Sequence, residues 1–491
     1  MAGSEPGSSR LRPSERERLA LVSRAAFANP FGDERWELDA RIAGVAPDAP
    51  EIVERVVAQA RAVLEAHAPL DLRSFGAEDA QLVEHALLFV AFHRYADAFD
   101  RLIAEQASQI SPRPFPAHEE IGAYLVQRGL DRRRLRRALE LFYQMRRAYR
   151  FISTALVGAS PSMRRLREAL WNQVFTRDVR RYERHLWNRM EDFTTILTGE
   201  TGSGKGAAAA AIGRSGFIAW KGDRFETSYA PMFLPVNLSE LPGALLESAL
   251  FGHEKGAFTG AVARHEGVFA RSLPHGTIFL DEIGEVSVPA QVKLLRVLQD
   301  RTFTPLGADK SLRFEGRVVA ATHRSLAELR RQGRFRDDFY YRLCSDQVEV
   351  PSLRQRLDEA PSELDTLLAT VIERIVGSRE RALIDEVREA IDRDLPRGYR
   401  WPGNVRELEQ IVRRVLLTGR CGPDDAPTVA GSSADRFWQR AMRGDLAARE
   451  LVAGYCALLY ERLGTYEAVA KATGLDRRTV KKNVVLGKDP W

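Results

Sequence analysis

Apolar residues recur every three or four positions through the first 155 residues, the spacing of helices that bury one face. Glu51 to His67 and Leu82 to Ile103 are the plainest cases, with Pro and Gly punctuation near 46–50 and 111–116. Strand and helix do not alternate here, which argues against a phosphorylatable receiver domain, and no catalytic constellation emerges. From about Leu156 the texture changes. Thr195 to Thr198, Thr277 to Leu280 and Arg317 to Ala321 are short apolar runs between polar or glycine residues, and they predict buried strands of a parallel sheet. The stretch from Cys421 to Ser433 is rich in Gly, Pro, Ser and Asp and reads as a linker. A small helical unit follows. The pattern therefore predicts a multidomain chain: an all-α N-terminal domain over 1–155, an α/β core with a helical lid over 156–425 (lid from about 357), a linker at 426–435, and an all-α unit over 436–491.

Composition narrows this only slightly. A hydrophobic share of 44% and a charged share of 29% are ordinary for a soluble chain. No apolar run reaches the roughly 20 residues that cross a bilayer, so no membrane partner and a cytoplasmic location are expected. The polar start, Met1 to Arg18, lacks the apolar core of a secretory signal and reads as a short disordered leader. Three cysteines lie far apart without metal-ligand spacing and suit a reducing compartment. The net charge of +6 fits nucleic-acid contact, although runs such as Asp131 to Ala138 are equally well explained as solvated helix faces.

Chemistry appears in the central zone. Gly199, Glu200, Thr201, Gly202, Ser203, Gly204, Lys205 and Gly206 satisfy the phosphate-loop pattern G-x-x-x-x-G-K, placed between a predicted strand and an Ala-rich helix. Glycines let backbone N–H groups wrap phosphates, the helix N-terminus adds a favourable field, and Lys205 neutralises the β- and γ-phosphates. Gly206 stands where a Ser or Thr usually offers a hydroxyl to magnesium. The run Phe279-Leu-Asp-Glu282 ends a predicted strand in two acids, placing Asp281 at Mg2+ and Glu282 at the attacking water. ATP and Mg2+ are thus the expected cofactors. Gly256, Ala257, Phe258, Thr259, Gly260 and Ala261 have too little apolar bulk to build a core, and they predict a mobile loop presenting Phe258 and Thr259.

These six residues match without change the GAFTGA loop of the sigma-54-dependent activators, also called bacterial enhancer-binding proteins. The chain resembles that AAA+ ATPase family from about Leu156 to Gly422, through Val157-Gly-Ala-Ser-Pro161, Leu245-Leu-Glu-Ser248, Gln291 to Leu298, Phe335 to Leu343, Pro351 to Arg356 and Trp401 to Leu408. The resemblance implies an ATPase whose Asn237 senses the γ-phosphate with Glu282. It implies that Phe258 and Thr259 touch sigma-54 RNA polymerase holoenzyme, that Arg336 and Arg342 reach a neighbouring subunit as arginine fingers, and that Arg406 is the lid's sensor arginine. His323 stands where the family's sensor strand ends in Asn, and Gly206 where it has Glu. Two stretches, 171–192 and 216–226, exceed the family's usual length. The residues leave open whether they shape the adenine pocket or a subunit interface.

Thr465 to Lys482 reads as a helix, a Gly474 turn and an Asp476-capped helix, with Ala468, Val469 and Leu475 as a small core. Arg477, Arg478, Lys481 and Lys482 are the expected contacts to double-stranded DNA. The unit resembles the Fis-type helix-turn-helix tail of the same activators. The expected whole is an enhancer-bound, ATP-hydrolysing regulator of sigma-54 transcription that assembles from dimer to hexamer, its N-terminal domain receiving an unidentified signal. The alternative is a DNA-binding regulator that binds nucleotide without hydrolysing it.

Overall fold

The computed structural model describes residues 9–107, 111–240, 243–422, 437–438, 440–442, 444 and 446–486. Two compact units divide the chain, one to Gly419 and one from Arg420. The proposed linker at 426–435 and the first eight residues lie outside the described ones.

The first unit opens with helices α1 (Pro13–Phe27), α2 (Asp33–Ala43), α3 (Ile52–Glu65), α4 (Ala77–Arg94), α5 (Ala96–Gln106), α6 (Ala117–Val126) and α7 (Arg132–Ala155). The leader read from the polar N-terminus is corrected from Ser9 onward. Leu11 is buried, its N–H donates to Asp79 Oδ2 at 3.1 Å, and Arg16 pairs with the same carboxylate at 2.9 Å. One apolar side chain and one buried acid therefore fix a segment whose composition is otherwise polar. The single helix expected from Leu82 to Ile103 breaks at Tyr95 into α4 and α5. Asp131 caps α7 by accepting from Arg134 N at 2.9 Å.

Next come α8 (Pro161–Phe175), the short α9 (Val179–Arg181) with one π-helical turn over Tyr182–Leu186, and the strands β1 (Thr195–Thr198), β2 (Trp220–Lys221), β3 (Arg224–Phe225), β4 (Phe233–Asn237) and β5 (Thr277–Asp281). Strands β6 (Thr302–Phe303), β7 (Leu312–Arg313), β8 (Arg317–Thr322) and β9 (Asp346–Glu349) complete the set. The three runs expected as buried strands are β1, β5 and β8. They sit inside a five-stranded, all-parallel sheet of order β4-β5-β8-β1-β9. Parallel strands buried on both faces need crossovers. Those are supplied by α10 (Lys205–Gly213), α11 (Gly243–Phe251), α12 (Val268–Arg271), α13 (Val288–Asp300), α14 (Leu326–Arg331) and α15 (Asp337–Leu343). The lid is α16 (Leu353–Glu359), α17 (Glu363–Val376), α18 (Arg381–Asp394) and α19 (Asn404–Thr418).

The two long stretches acquire a place that sequence left open. Residues 216–226 form the β2–β3 hairpin, and Ile218, Trp220, Phe225, Tyr229 and Met232 belong to the same hydrophobic core as α1 to α6. Phe225 stacks on Tyr143 of α7 at 3.9 Å, and Phe115 N donates to Asp223 O at 2.8 Å. In the other stretch, Tyr182 donates to Gln144 Oε1 at 2.8 Å and Trp187 lies under the Arg137 guanidinium. Both stretches thus carry the contact between the N-terminal helices and the sheet.

In the second unit, α20 (Ala448–Leu463), α21 (Tyr466–Thr473) and α22 (Arg477–Leu486) pack around Cys456, Val469, Val480 and Val484. Val469 is in the core as expected, whereas Leu475 and Ala468 are only half-buried. The turn between α21 and α22 is made by Gly474 at φ +70° and by Asp476, which accepts from Arg478 N and Thr479 N at 3.0 Å each.

Candidate functional site

Four loops converge at the carboxyl ends of the parallel strands, where open α/β sheets place their ligands. The loop after β1 is Gly199 to Gly204, and Lys205 opens α10. Gly202 adopts φ +76°, and a Cβ there would lie 2.3 Å from Gly403 O, so lid and loop meet at a point where only glycine fits. Lys205 is buried. Its Nζ donates to Gly199 O at 2.9 Å and to Glu200 O at 3.0 Å, which holds the ammonium at the loop's centre. Burial pulls its pKa down, while Glu282 and Asp281 oppose that shift. Ser203 Oγ is buried with no partner, and the first N–H groups of α10 have no intrahelical acceptor. These unmet donors and the ammonium suit a polyphosphate.

Asp281 ends β5 beside Asn237, which ends β4 in direct register. Burial and the neighbouring Glu282 raise the Asp281 pKa, so a cation near it is favoured. Glu282 takes a left-handed backbone at φ +57°, and its Oε2 lies 2.7 Å from His323 Nδ1 at the end of β8. Asn237 points elsewhere. Its Nδ2 donates to Glu240 Oε1 at 2.7 Å, and its Oδ1 accepts from Ser239. In this arrangement Glu282 pairs with His323, and Asn237 with Glu240 and Ser239.

Sequence reasoning missed the residues that fasten the lid. Asn404 is fully buried at φ +54°; its Nδ2 donates to Glu200 Oε2 (3.1 Å) and Thr201 O (3.0 Å), and its Oδ1 accepts from Leu353 N (2.7 Å). Arg354 adds a 2.9 Å pair with Glu200. Arg356 and Glu363 form a buried ion pair that grips Val157 O and Ser160 N, shaping the cleft's apolar wall. These residues sit in or beside strings already noticed, but their partners lie up to about 200 positions away. Of these, Arg356, together with Arg406, bounds a cleft of about 480 Å³ containing the phosphate loop from Thr201 on, Asn237, Asp281 and Glu282, with Leu156, Val157, Met163 and Leu367 as its apolar side.

Arg336 and Arg342 do not line this cleft. Arg336 is solvent-facing and paired with Asp338 at 2.7 Å, while Arg342 donates twice to Leu298 O, capping the last turn of α13. The Gly256–Ala261 loop closes on itself, with Gly256 N donating to Ala261 O at 2.9 Å and Ala261 N to Phe258 O at 3.0 Å. Thr259 is exposed as expected. Phe258 is not fully presented; its half-buried ring meets His253 edge-on at 4.9 Å. A lone aromatic on a glycine-rich tip finds the nearest ring, which lowers its exposed apolar area.

A model of the sigma-54 interaction domain matches residues 174–349. Residues 174–349 are thus similar to a sigma-54 interaction domain. The DNA-binding transcriptional regulator NtrC of Azospirillum brasilense is 40% identical over 260 residues, 53% of this chain and 47% of that protein. The Nif-specific regulatory protein of Azotobacter vinelandii is 38% identical over 296 residues, 60% and 50% respectively. The transcriptional regulatory protein ZraR of Escherichia coli K12 is 43% identical over 228 residues, 46% and 48%. The chain spans about half the length of each of these relatives.

In the tail, Arg478, Lys481 and Lys482 share one face of α22 with Val485 and Leu486, whereas Arg477 turns to Glu467 at 2.8 Å. Three of the four expected DNA contacts are thus brought together, and the fourth is paired within the unit.

Proposed function

We propose that the chain is an ATP-driven activator of sigma-54-dependent transcription. The observation that carries this reading is the shared cleft of Lys205, Asp281 and Glu282 in a domain that also bears the unaltered Gly256–Ala261 loop. Lys205 and the first-turn N–H groups of α10 hold the triphosphate, and Asp281 holds the magnesium ion. Magnesium, when bound with the nucleotide, neutralises charge building on the phosphate oxygens. Glu282 orients the attacking water, positioned by His323 in place of the usual asparagine. Arg406 closes the cleft from the lid. Arg336 and Arg342 leave their local partners on assembly, from dimer to hexamer, and reach a neighbour's nucleotide; an arginine supplied in trans ties turnover to assembly. Phe258 and Thr259 transmit the stroke to sigma-54 holoenzyme, and Arg478, Lys481 and Lys482 hold enhancer DNA.

The test is ATP turnover per subunit over a range of protein concentrations, for the wild type and Glu282→Gln. A rate that climbs with concentration and collapses at least ~100-fold in the variant supports the motor, because a positioned proton acceptor is worth that much. One observation favours the second reading, a regulator that binds nucleotide without hydrolysing it. His323 occupies the Glu282 carboxylate at 2.7 Å. Tight nucleotide binding with no turnover at any concentration would establish that reading, and His323→Asn would then restore turnover if the imidazole is the obstacle.

A further inference from the structure

The N-terminal helices enclose a second cavity, away from the nucleotide cleft. It measures about 390 Å³ between α1, α4 and α7, within the size range of small-molecule sites. Phe27, Leu88, Phe89, Phe142 and Met145 give it mainly apolar walls. One polar group stands among them. His85 Nδ1 is 2.7 Å from Ser23 Oγ, and the Phe27 ring meets the imidazole edge-on at 4.8 Å. Burial, reinforced by Arg180, Arg134 and Arg184, pulls the His85 pKa down to about 4, so the ring is neutral near pH 7. Its second nitrogen, Nε2, has no protein partner among the described residues. At the rim, Arg133, Arg134 and Arg137 face Glu84, Asp131 and Glu183, and Arg134 pairs with Glu84 at 2.8 Å. These lining charges balance three against three, and Arg180 and Arg184 add positive field near His85, so a cation is disfavoured and the apolar walls favour an uncharged ligand.

We propose that this cavity binds a compact, uncharged, mainly apolar ring compound whose single hydrogen-bonding group meets His85 Nε2, and that α7 carries its occupancy to the nucleotide cleft. The first half stands on the cavity alone. The second rests on the reading of the cleft as a nucleotide site. Helix α7 supplies Ala138, Leu141, Phe142 and Met145 to the cavity. Interleaved with them, Gln144 donates to Ser215 O at 2.9 Å, and the fully buried Arg147 donates to Arg214 O (2.8 Å) and Gly216 O (2.7 Å). Those carbonyls close the C-terminal end of α10, whose first residue is Lys205. Helix α7 then ends at Ala155, and Ala155, Leu156 and Val157 line the nucleotide cleft. One continuous helix therefore walls the cavity, grips the far end of the phosphate-loop helix, and delivers the chain to the cleft. A ligand that shifts α7 acts on the nucleotide site at two points.

The experiment uses the full chain and 2-naphthol as the probe, titrated by calorimetry. Leu88→Trp and Leu141→Trp fill the cavity from two walls, and His85→Phe removes the hydrogen bond while keeping a ring. The expected result is saturable binding of one probe per chain. It is lost in both Trp variants, provided their melting curves show folded protein, and weakened roughly tenfold in His85→Phe, the worth of one hydrogen bond to a desolvated partner. ADP affinity of the wild type shifts at least about fivefold when the probe is saturating, the lower end of ordinary allosteric coupling, and the Trp variants lose that shift. Absent saturable binding, or equal affinity in both folded Trp variants, overturns the site. Binding that leaves ADP affinity unchanged overturns the coupling and keeps the site. No ADP binding with or without the probe overturns the reading of the cleft, while the Trp variants still decide the cavity.

Discussion

Asn404 joins three segments with one side chain, so its replacement separates the parts of the lid contact. Asn404→Ala leaves the Leu353 N–H buried without an acceptor and places a Cβ residue at a left-handed φ that alanine disfavours. The expected cost is about 3 kcal/mol of unfolding free energy in a urea titration, with nucleotide affinity falling as well. Asn404→Gly keeps the backbone conformation and should cost less, isolating the hydrogen bonds; equal midpoints for all three proteins would refute this account. A second residue sets a pH limit. Burial in α4, with Arg35 and Arg146 near, pushes the His93 pKa down to about 3. Between that value and the ordinary histidine range the unfolded chain binds the extra proton, so stability rises with pH there and is lost as pH falls from about 6.5 towards 3. The effect is on the order of 5 kcal/mol, and His93→Phe should flatten that part of the stability curve. An unchanged slope in the variant would show that other groups set the acid limit.

At the level of elements, what could be read in the sequence was whatever is local. The phosphate loop, the acid pair after β5 and the three buried strands are each written in a few consecutive residues, and the structure places them at one end of one sheet. What escaped was pairing across distance. Nothing in Gly216 to Glu226 states that Trp220 and Phe225 complete a core begun 200 residues earlier, and nothing in Trp401 to Leu408 states that Asn404 bonds Glu200. The basic helix was legible in kind but not in detail, because Glu467, on the preceding helix, claims Arg477. Two measurements follow. Phe225→Ala removes a ring buried to 1% exposure and should cost about 4 kcal/mol, measured by denaturant unfolding. Lys481→Ala with Lys482→Ala should lower the salt slope of DNA binding by about 2, one for each phosphate contact, while Arg477→Ala changes it far less. An Arg477 effect as large as that of a lysine would mean the Glu467 pair opens on DNA.

Across the whole first unit, the N-terminal helices and the sheet do not behave as beads joined by a linker. Domains normally move against each other unless a large apolar interface holds them. Here Ile218, Trp220, Phe225, Tyr229 and Met232 leave the sheet side to enter the N-terminal core, and Arg147 enters the sheet side from α7. A chain starting at Leu156 would uncover those five side chains, each worth about 1.5–3 kcal/mol when buried. Their sum is comparable with the 5–15 kcal/mol that holds a typical domain folded. The expected outcome is that this truncation aggregates and binds a hydrophobic dye, and that a 1–155 fragment made alone does the same. Producing both halves together should rescue a soluble complex, read by sedimentation. A monomeric truncation melting within a few degrees of the full chain would instead make the N-terminal part a removable lid. If the truncation fails as expected, any signal passed from this region to the sheet would have to work by deforming α7 within a continuous core, because undocking would cost the fold itself.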